Sequence, residues 1–333
     1  MERQQQISTW LEQRWPGQPI TLAPASADAS FRRYFRATLV DGTRYIVMDA
    51  PPEREDCRPW LAVQQLFAAA GVPVPEVFAE DLERGFLLIS DLGETPYLSV
   101  LTAETAPLLY SDAIDALIRI QLASQPGILP DYDEAALRRE LELFPEWFVA
   151  RHYAATLTDL ERTRLAKVFD RLVAVNLAEP KVFVHRDFHS RNLMVSAPPH
   201  SPGIIDFQDA LYGPLSYDLV SLFKDAYIDW DEELVIDWLV RYWEQARKAG
   251  LPVRSDFAEF HRDFEWMGVQ RHLKVLGIFA RLAHRDGKTG YLNDMPRVAG
   301  YLRKTCGRYD VLAPVVHLLN RLEKLQVQEG YTF

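Results

Sequence analysis

The chain has 333 residues, of which 48% are hydrophobic and 25% are charged, so it is long enough for two lobes that each bury a core. Its formal net charge of −10 argues against a broad nucleic-acid-binding face. The two cysteines, Cys57 and Cys306, stand in neither a metal-ligand nor a disulfide spacing. The first residues lack a signal-peptide pattern and no apolar run could span a bilayer, so we expect a cytoplasmic protein without a membrane partner.

The N-terminal part of the chain is predicted to form a β-rich lobe with a single helix. Asp41-Gly42 separates two runs rich in aromatic and β-branched residues, which is a strong hairpin signal. A helix is expected over 59–70, because Pro59 lies in its first turn and Gly71 follows its end. Strands are predicted at 32–40, 44–49, 77–80 and 86–90.

From about residue 105 onward the apolar residues recur at helical spacing. Helices are predicted over 113–122, 134–152, 160–177, 230–249, 257–283 and 311–326. A β-rich island interrupts them, with strands at 182–184, 193–195 and 203–207 and a turn-rich connector at 197–202. A small β-rich lobe before a mainly helical lobe indicates an α+β fold. The linker predicted at 90–95, which contains Asp-Leu-Gly, divides the chain into lobes of residues 1–92 and 93–333.

Polar residues that could take part in catalysis or bind a metal cluster in and after the β-rich island. A buried strand opens into the loop that holds Asp187 and Asn192, and Asp206 ends the second strand of the following hairpin. Because Asn192 and Asp206 lie at the hairpin end opposite its turn, we expect their side chains to lie close together and to hold Mg²⁺. Asp187 is then placed to accept the proton of a hydroxyl that attacks a γ-phosphate. Any one of these residues alone would be typical of a polar loop, whereas the complete pattern predicts a phosphoryl-transfer site.

The pattern His185-x-Asp187-x-x-x-x-Asn192, followed by Ile205-Asp206-Phe207, resembles the catalytic loop and metal-binding aspartate of the aminoglycoside phosphotransferase family, which is related to the protein kinases. The resemblance follows the lobe order along nearly the whole chain. It implies a protein-kinase-like bilobal fold with a small β-rich N-lobe and a larger, mainly helical C-lobe. It also implies ATP as the phosphoryl donor, Mg²⁺ as the cofactor and an alcohol group as the acceptor.

The same resemblance assigns roles to individual residues. Asp187 would be the catalytic base, and His189 stands where protein kinases place a lysine that contacts the γ-phosphate. His185 would be a structural histidine of the loop, and Asp218 matches an aspartate that buttresses the loop from the following helix.

The N-terminal lobe departs from the family pattern. Met48 or Asp49 stands where a lysine is expected, and the helix that usually supplies a partner glutamate has glutamines instead. We expect arginines of the first hairpin, Arg32 and Arg33, to bind the phosphates in place of the lysine, since guanidinium groups bind phosphate bidentately. The alternative is that these arginines are surface charges. The nucleotide base is expected at the linker, at Ser90 and Leu92.

Further segments, including 32–36, 48–53 and 266–281, resemble bacterial kinases of N-acetylmuramate and N-acetylglucosamine within the family. That resemblance implies phosphorylation of the anomeric C1 hydroxyl during recycling of cell-wall sugars. A sugar site needs an aromatic face and hydrogen-bonding groups, and Trp266, Gln270 and Arg271 are the candidates on a predicted helix. Trp266 could alternatively be a core residue. Other aromatic residues could equally line the sugar pocket, namely Tyr212, Tyr227 and Trp230.

Two other interpretations remain open from the sequence. A related kinase could act on choline, an amino acid or an aminoglycoside instead of an amino sugar. The missing lysine could alternatively indicate a pseudokinase that only binds, although Asp187, Asn192 and Asp206 argue against this. The expected partners are a small-molecule amino sugar and ATP, and no obligate protein partner is evident.

Overall fold

The computed structural model describes residues 3–27, 31–196 and 202–324. The helices are α1 (Arg3–Arg14), α2 (Cys57–Ala69), α3 (Ala106–Leu122), α4 (Glu134–Leu143), α5 (Asp159–Leu177), α6 (Tyr217–Phe223), α7 (Glu232–Ala249), α8 (Phe257–Asp286), α9 (Met295–Cys306) and α10 (Ala313–Leu322). The strands are β1 (Thr21–Ala27), β2 (Arg33–Thr38), β3 (Arg44–Asp49), β4 (Val77–Asp81), β5 (Phe86–Ser90), β6 (Lys181–Val184), β7 (Leu193–Met194), β8 (Gly203–Ile204) and β9 (Leu211–Pro214). Most of the predicted connector 197–202 and the end of the predicted helix 311–326 lie outside the described residues.

The packing divides the chain into two compact units. One comprises Met1–Arg119 with Arg191–Asp209, and the other comprises Ile120–Ser190 with Ala210–Phe333. The predicted lobe boundary between residues 92 and 93 stays a prediction.

The first unit contains a five-stranded antiparallel sheet in the order β1-β2-β3-β5-β4. The predicted hairpin is confirmed, because β2 and β3 pair directly and Gly42 adopts φ +85° in the turn. Asp41 stabilises the same turn by accepting a hydrogen bond from the Thr43 N–H at 2.8 Å. The predicted helix 59–70 begins earlier, at Cys57, because Asp56 caps it through the Arg58 N–H.

Helix α1 and strand β1, which were not predicted from the sequence, complete this unit. Ile7 and Leu11 lie one helical turn apart on α1 and are fully buried against sheet residues such as Val47 and Phe86. With Trp10, which is partly buried against the same core, they form an apolar i, i+3, i+4 stripe on an otherwise polar segment, and this short stripe was the sequence signal for the helix. The missed helix is therefore part of the core of the unit.

The second unit is mainly helical and contains the pair of strands β6 and β9. Its longest helix, α8, is buried along most of its length, including several charged residues. The segment 134–152 is helical throughout, as predicted, but it is not a single α-helix, because α4 ends at Leu143 and the chain continues as π-helical turns over Phe144–His152. Pro145 cannot donate a helical hydrogen bond, which favours such a change. Gly277 lets α8 approach this junction, since a Cβ there would lie 2.5 Å from the Leu143 backbone.

Two further elements of the island and the C-terminal region, β9 and α9, were not predicted, whereas α6 is the helix on which the family resemblance placed Asp218. The predicted strand 203–207 is shorter in the structure, because Asp206 adopts φ +65° and ends the extended backbone. Among the described residues, no helix is long and apolar enough to cross a membrane.

Candidate active site

The catalytic loop in the second unit is held at its start by Asp218. Its buried carboxylate accepts hydrogen bonds from the backbone N–H groups of His185 (2.6 Å) and Arg186 (3.0 Å). Arg186 adopts φ +78°, a conformation that non-glycine residues rarely take without such fixation. The His185 Nδ1 in turn accepts the Asp187 N–H at 3.2 Å. Asp218 and His185 thus hold the backbone at the start of the catalytic loop in place.

Asp187 presents a partly exposed carboxylate surrounded by cationic groups. Its side chain is 40% exposed and lies 3.7 Å from the Arg271 guanidinium. Burial alone would raise the pKa of Asp187, but the positive charges of Lys274 and Arg271, together with His189, hold this pKa well below its ordinary value. Asp187 is therefore ionised at neutral pH and able to accept a proton.

The cations beside Asp187 belong to a buried network that the sequence analysis did not identify. Glu140 on α4 pairs with Arg186 at 2.5 Å and with Lys274 at 3.2 Å. Lys274 also donates to the Tyr217 hydroxyl at 2.8 Å, and Tyr132 donates to Glu140. Burial opposes ionisation of Glu140, yet Lys274 and Arg186 hold its pKa below the ordinary value. The network fixes Arg186, whose neighbour in the chain is Asp187.

The end of the catalytic loop is fastened to the segment after α6. The Asp225 carboxylate accepts hydrogen bonds from the Ser190 N–H at 2.9 Å and from the Ser190 hydroxyl at 2.5 Å. The ring of His189 lies edge-on to Tyr227, with centroids 5.3 Å apart. The structure therefore places the predicted catalytic residue His189 between Asp187 and this segment, and its catalytic role stays a prediction.

The predicted metal ligands lie together in the first unit. The Asn192 side-chain amide donates to Asp206 at 3.2 Å, and the β7–β8 pairing brings the two residues together as expected. Gln208, which the sequence analysis did not select, donates to the other Asp206 oxygen at 2.9 Å, while its own buried carbonyl oxygen lacks a hydrogen-bond partner among the described residues. Both amides direct their N–H groups at Asp206 in this arrangement, and the Asp206 carboxylate and the amide oxygens are of the chemical type that Mg²⁺ takes as ligands.

The arginines of the first hairpin have partners in the first unit. Arg33 pairs across the hairpin with Asp49, whose fully buried carboxylate also accepts from Arg3. The Arg33 side chain remains 51% exposed. Arg36 pairs with Asp91 at 2.6 Å. Asp49, at the position expected for lysine, thus anchors a cation of the adjacent strand.

Of the other residues predicted to bind the nucleotide, Ser90 and Leu92 lie in the predicted linker at 90–95. The Ser90 hydroxyl accepts the Glu76 N–H at 2.9 Å, and Leu92 packs beside Gly203, where a Cβ would lie 3.1 Å from the leucine Cδ1. Gln64 is buried where a glutamate was expected and donates to the Pro75 carbonyl at 3.0 Å. Arg32 lies in the described residues just before β2. None of these placements tests nucleotide binding, which stays a prediction.

The predicted sugar-binding residues lie on α8 in different surroundings. Trp266 is buried edge-on to Tyr309, with ring centroids 5.5 Å apart. The Gln270 side chain is fully buried and donates to the Leu137 carbonyl at 3.0 Å. Arg271 alone of the three contacts the catalytic loop, at Asp187 and at the Arg186 carbonyl. Trp266 and Gln270 thus make contacts typical of core residues, and their sugar-binding role stays a prediction.

The fold and the loop chemistry define a phosphotransferase with a protein-kinase-like architecture, and sequence comparison agrees. A model described as "Phosphotransferase enzyme family" matches residues 21–257, and the chain belongs to this family. The chain is 49% identical over 331 residues to a protein of Pseudomonas putida and 50% identical over 340 residues to one of Neisseria meningitidis, both named N-acetylmuramate/N-acetylglucosamine kinase. The first alignment covers 96% of this chain and 97% of its relative, and the second covers 100% of each.

Solved structures of low sequence identity share the fold. The choline kinase LicA from Streptococcus pneumoniae superposes with a TM-score of 0.65 at 13% identity, covering 91% of this chain and 100% of the other. The ADP-bound aminoglycoside phosphotransferase APH(2'')-Ib gives a TM-score of 0.55 at 13% identity, covering 88% and 96%. The predicted α+β, protein-kinase-like fold and the prediction of an ATP-dependent phosphotransferase are confirmed.

Proposed function

We propose that this protein transfers the γ-phosphoryl group of ATP to the anomeric C1 hydroxyl of N-acetylmuramate and N-acetylglucosamine, within the recycling of cell-wall sugars. The observation that carries the proposal is its identity of 49% to 50% to three relatives named as kinases of these sugars, in alignments that cover at least 96% of the chain. Similarity that extends over nearly the whole chain favours the same acceptor sugars over a different acceptor.

In the proposed reaction Asp187 is the proton acceptor. The sugar hydroxyl oxygen forms a bond to the γ-phosphorus, the bond from that phosphorus to the β–γ bridging oxygen breaks, and the hydroxyl proton passes to Asp187. Burial would raise the pKa of Asp187, but Lys274 and Arg271 lower it. The carboxylate is therefore already deprotonated, which supports this role. Fixation of the loop by Asp218 supports it further, since positioning dominates phosphoryl transfer.

Asn192 and Asp206 would hold Mg²⁺, and their mutual contact together with the neighbouring Gln208 amide supports this assignment. When bound, the cation would neutralise charge on the β- and γ-phosphates. We further propose that Arg32 and Arg33 contact the phosphates, because Arg33 is half-exposed and oriented by a buried carboxylate. The adenine would dock at Ser90 and Leu92, and His189 would lie near the transferred group.

The proposal is tested by ³¹P NMR of the products formed from each sugar with ATP and Mg²⁺. Transfer to C1 gives a phosphorus signal coupled to the anomeric proton, whereas transfer to C6 gives coupling to a methylene pair. A panel containing choline, amino acids and aminoglycosides provides the comparison. Turnover of one of those acceptors with neither sugar phosphorylated would refute the assignment.

A further inference from the structure

The segment 224–228, which follows α6 in the second unit, determines where the end of the catalytic loop lies. The Asp225 carboxylate accepts hydrogen bonds from the Ser190 N–H at 2.9 Å and from the Ser190 hydroxyl at 2.5 Å. The residue before Ser190 in the chain, His189, donates its N–H to the Asp187 carbonyl at 3.0 Å. A displacement of the segment would therefore move the stretch of loop that carries the proposed base.

The segment is itself held through its backbone carbonyl groups by side chains of α8 and α9. The His272 Nε2 lies 3.0 Å from the Lys224 carbonyl, and because a carbonyl only accepts, this nitrogen carries the proton and donates. The Tyr301 hydroxyl lies 3.3 Å from the Asp225 carbonyl and 3.1 Å from the Ile228 carbonyl. The hydroxyl of one tyrosine thus reaches both the middle and the end of the segment.

His272 and Tyr301 support each other as well as the segment. Their rings are stacked, with centroids 4.8 Å apart and planes inclined by 18°. Because the His272 ring is buried, this stacking fixes the plane of the tyrosine ring and the direction in which its hydroxyl points. Arg297, one turn before Tyr301 on α9, donates to the Ala226 carbonyl at 2.7 Å. The carbonyl groups of three consecutive residues, 224 to 226, therefore have partners on these two helices.

Two consecutive residues of α8 support the two ends of the catalytic loop. Arg271 donates to the Arg186 carbonyl at 2.8 Å, at the start of the loop, whereas His272 contacts the Lys224 carbonyl of the segment that holds the loop's end. Neighbouring side chains leave a helix about 100° apart, so one helix can reach both places. The support of the loop's start is direct, and the support of its end passes through the segment 224–228.

We propose that Tyr301 is a positioning residue for phosphoryl transfer. Its hydroxyl, oriented by the stacked ring of His272, holds the segment 224–228, and Asp225 passes this fixation on to the end of the catalytic loop. Tyr301 thus acts through the loop and not on the reacting atoms. Small displacements matter, because misplacement of a reacting group by about 1 Å can cost about 100-fold in rate. The inference rests on the proposed function, since the loop governs turnover only if Asp187 is the base.

Replacing Tyr301 by phenylalanine removes the hydroxyl and keeps the ring that stacks on His272. We expect kcat to fall about 10-fold while the affinity for ADP, measured by isothermal titration, stays nearly unchanged. Tyr309→Phe is the matched control, because the part-buried Tyr309 hydroxyl donates to Glu265 at 2.6 Å instead. Both variants lose one hydrogen bond and should lose similar stability toward urea, whereas only Tyr301→Phe should lose kcat.

NMR of the histidine rings gives a second readout that a loss of stability alone would not move. The His189 ring lies edge-on to Tyr227 with centroids 5.3 Å apart, and the Tyr227 N–H donates to the Asp225 carboxylate at 2.9 Å. A shift of the segment therefore changes the ring current that acts on His189. The His189 signal, identified by its loss in His189→Gln, should move in Tyr301→Phe and stay in place in Tyr309→Phe.

The outcomes separate this inference from the proposed function. Wild-type kcat in Tyr301→Phe, or equal losses of kcat in Tyr301→Phe and Tyr309→Phe, would overturn it. A selective loss of kcat without movement of the His189 signal would overturn it as well, because the end of the loop would not have moved. If the wild type phosphorylates neither sugar, the proposed function fails, and the same comparison with the acceptor that the panel identifies still decides the role of Tyr301.

Discussion

The Arg271 guanidinium lies 3.7 Å from the Asp187 carboxylate and also donates to the carbonyl of the preceding residue, Arg186, at 2.8 Å. One side chain of α8 therefore orients the catalytic loop and, together with the larger contribution of Lys274, sets the charge environment of its carboxylate. This arrangement explains how a partly exposed aspartate keeps a pKa below its ordinary value although burial opposes its ionisation. It also leads to separate predictions for the two residues.

Replacing Asp187 by asparagine should lower kcat by several orders of magnitude while leaving nucleotide affinity nearly intact. The amide keeps the shape of the side chain but cannot accept the hydroxyl proton. Steady-state kinetics with the sugar, together with a titration of ADP, separate these effects. A loss of less than tenfold in kcat would remove Asp187 from the role of base.

Replacing Arg271 by glutamine should move the acid limb of the kcat/KM profile to higher pH. The wild-type pKa of Asp187 is held down by Lys274 and Arg271 against burial, so loss of one cation lets this pKa rise. The carboxylate then begins to lose its charge at a higher pH, and activity falls earlier on acidification. Arg262→Gln is the control, since Arg262 lies on the same helix but is 49% exposed and pairs with Asp263. An unchanged acid limb in Arg271→Gln would contradict this account.

The parts of the site that could be predicted from the sequence are those encoded locally. Asp187, Asn192 and Asp206 lie near strand ends and flank one short hairpin in the sequence. Their order and spacing therefore already indicate a phosphoryl-transfer site. The β2–β3 hairpin was predictable for the same reason, because Asp41-Gly42 specifies its turn.

The parts that could not be predicted depend on residues distant in the chain. Glu140 and Lys274 meet only because α4 packs on α8, and nothing near either residue marks it as part of the catalytic loop's support. Asp49 looked like the loss of a lysine, whereas the structure gives it two arginine partners, one of them on a helix that the sequence analysis missed. Periodicity describes each segment separately and carries no information on such pairings.

Replacing Asp206 by alanine should abolish saturation by Mg²⁺ at ordinary millimolar concentrations. The change removes the carboxylate that faces the Asn192 and Gln208 amides, so the proposed cation loses its charged ligand. Activity is measured against Mg²⁺ at fixed ATP, with Asp209→Ala as a control for the loss of a nearby exposed carboxylate. Normal saturation of the Asp206 variant would mean that the metal is held elsewhere.

Replacing Arg33 or Arg32 by alanine should weaken ATP binding by about 10- to 100-fold, because one charge-assisted hydrogen bond to phosphate is worth roughly 1.5–3 kcal/mol. Adenosine, which lacks phosphates, should bind almost unchanged. Isothermal titration with ATP, ADP and adenosine provides the measurement. Arg44→Ala is the matched control, since this half-exposed arginine of the same sheet pairs with Glu94 instead. If both variants bind ATP like wild type, Arg33 serves only to neutralise buried Asp49, and its loss would appear in stability alone.

The final prediction concerns Glu179, a carboxyl group buried between the end of α5 and the start of α6. It accepts hydrogen bonds from the Ser216 N–H at 3.0 Å and from the Ser216 hydroxyl at 2.9 Å. Burial raises the pKa of Glu179 from 4.5 to about 8, although the Ser216 hydrogen bonds oppose this shift. The folded protein therefore keeps a proton on Glu179 over a pH range in which the unfolded chain has lost it.

The contribution of Glu179 to stability should consequently fall as pH rises from about 4.5 to about 8, by up to about 1.4 kcal/mol per pH unit. Glu179→Gln keeps a neutral group of the same shape that can still accept the Ser216 N–H, so this pH dependence should disappear in the variant. Free energies of unfolding by urea across this window, for wild type, Glu179→Gln and the exposed control Glu259→Gln, provide the measurement. The variant should become progressively more stable than wild type toward pH 8, because it does not have to take up a proton on folding. Parallel pH profiles for wild type and Glu179→Gln would show that Glu179 ionises alike in the folded and unfolded states.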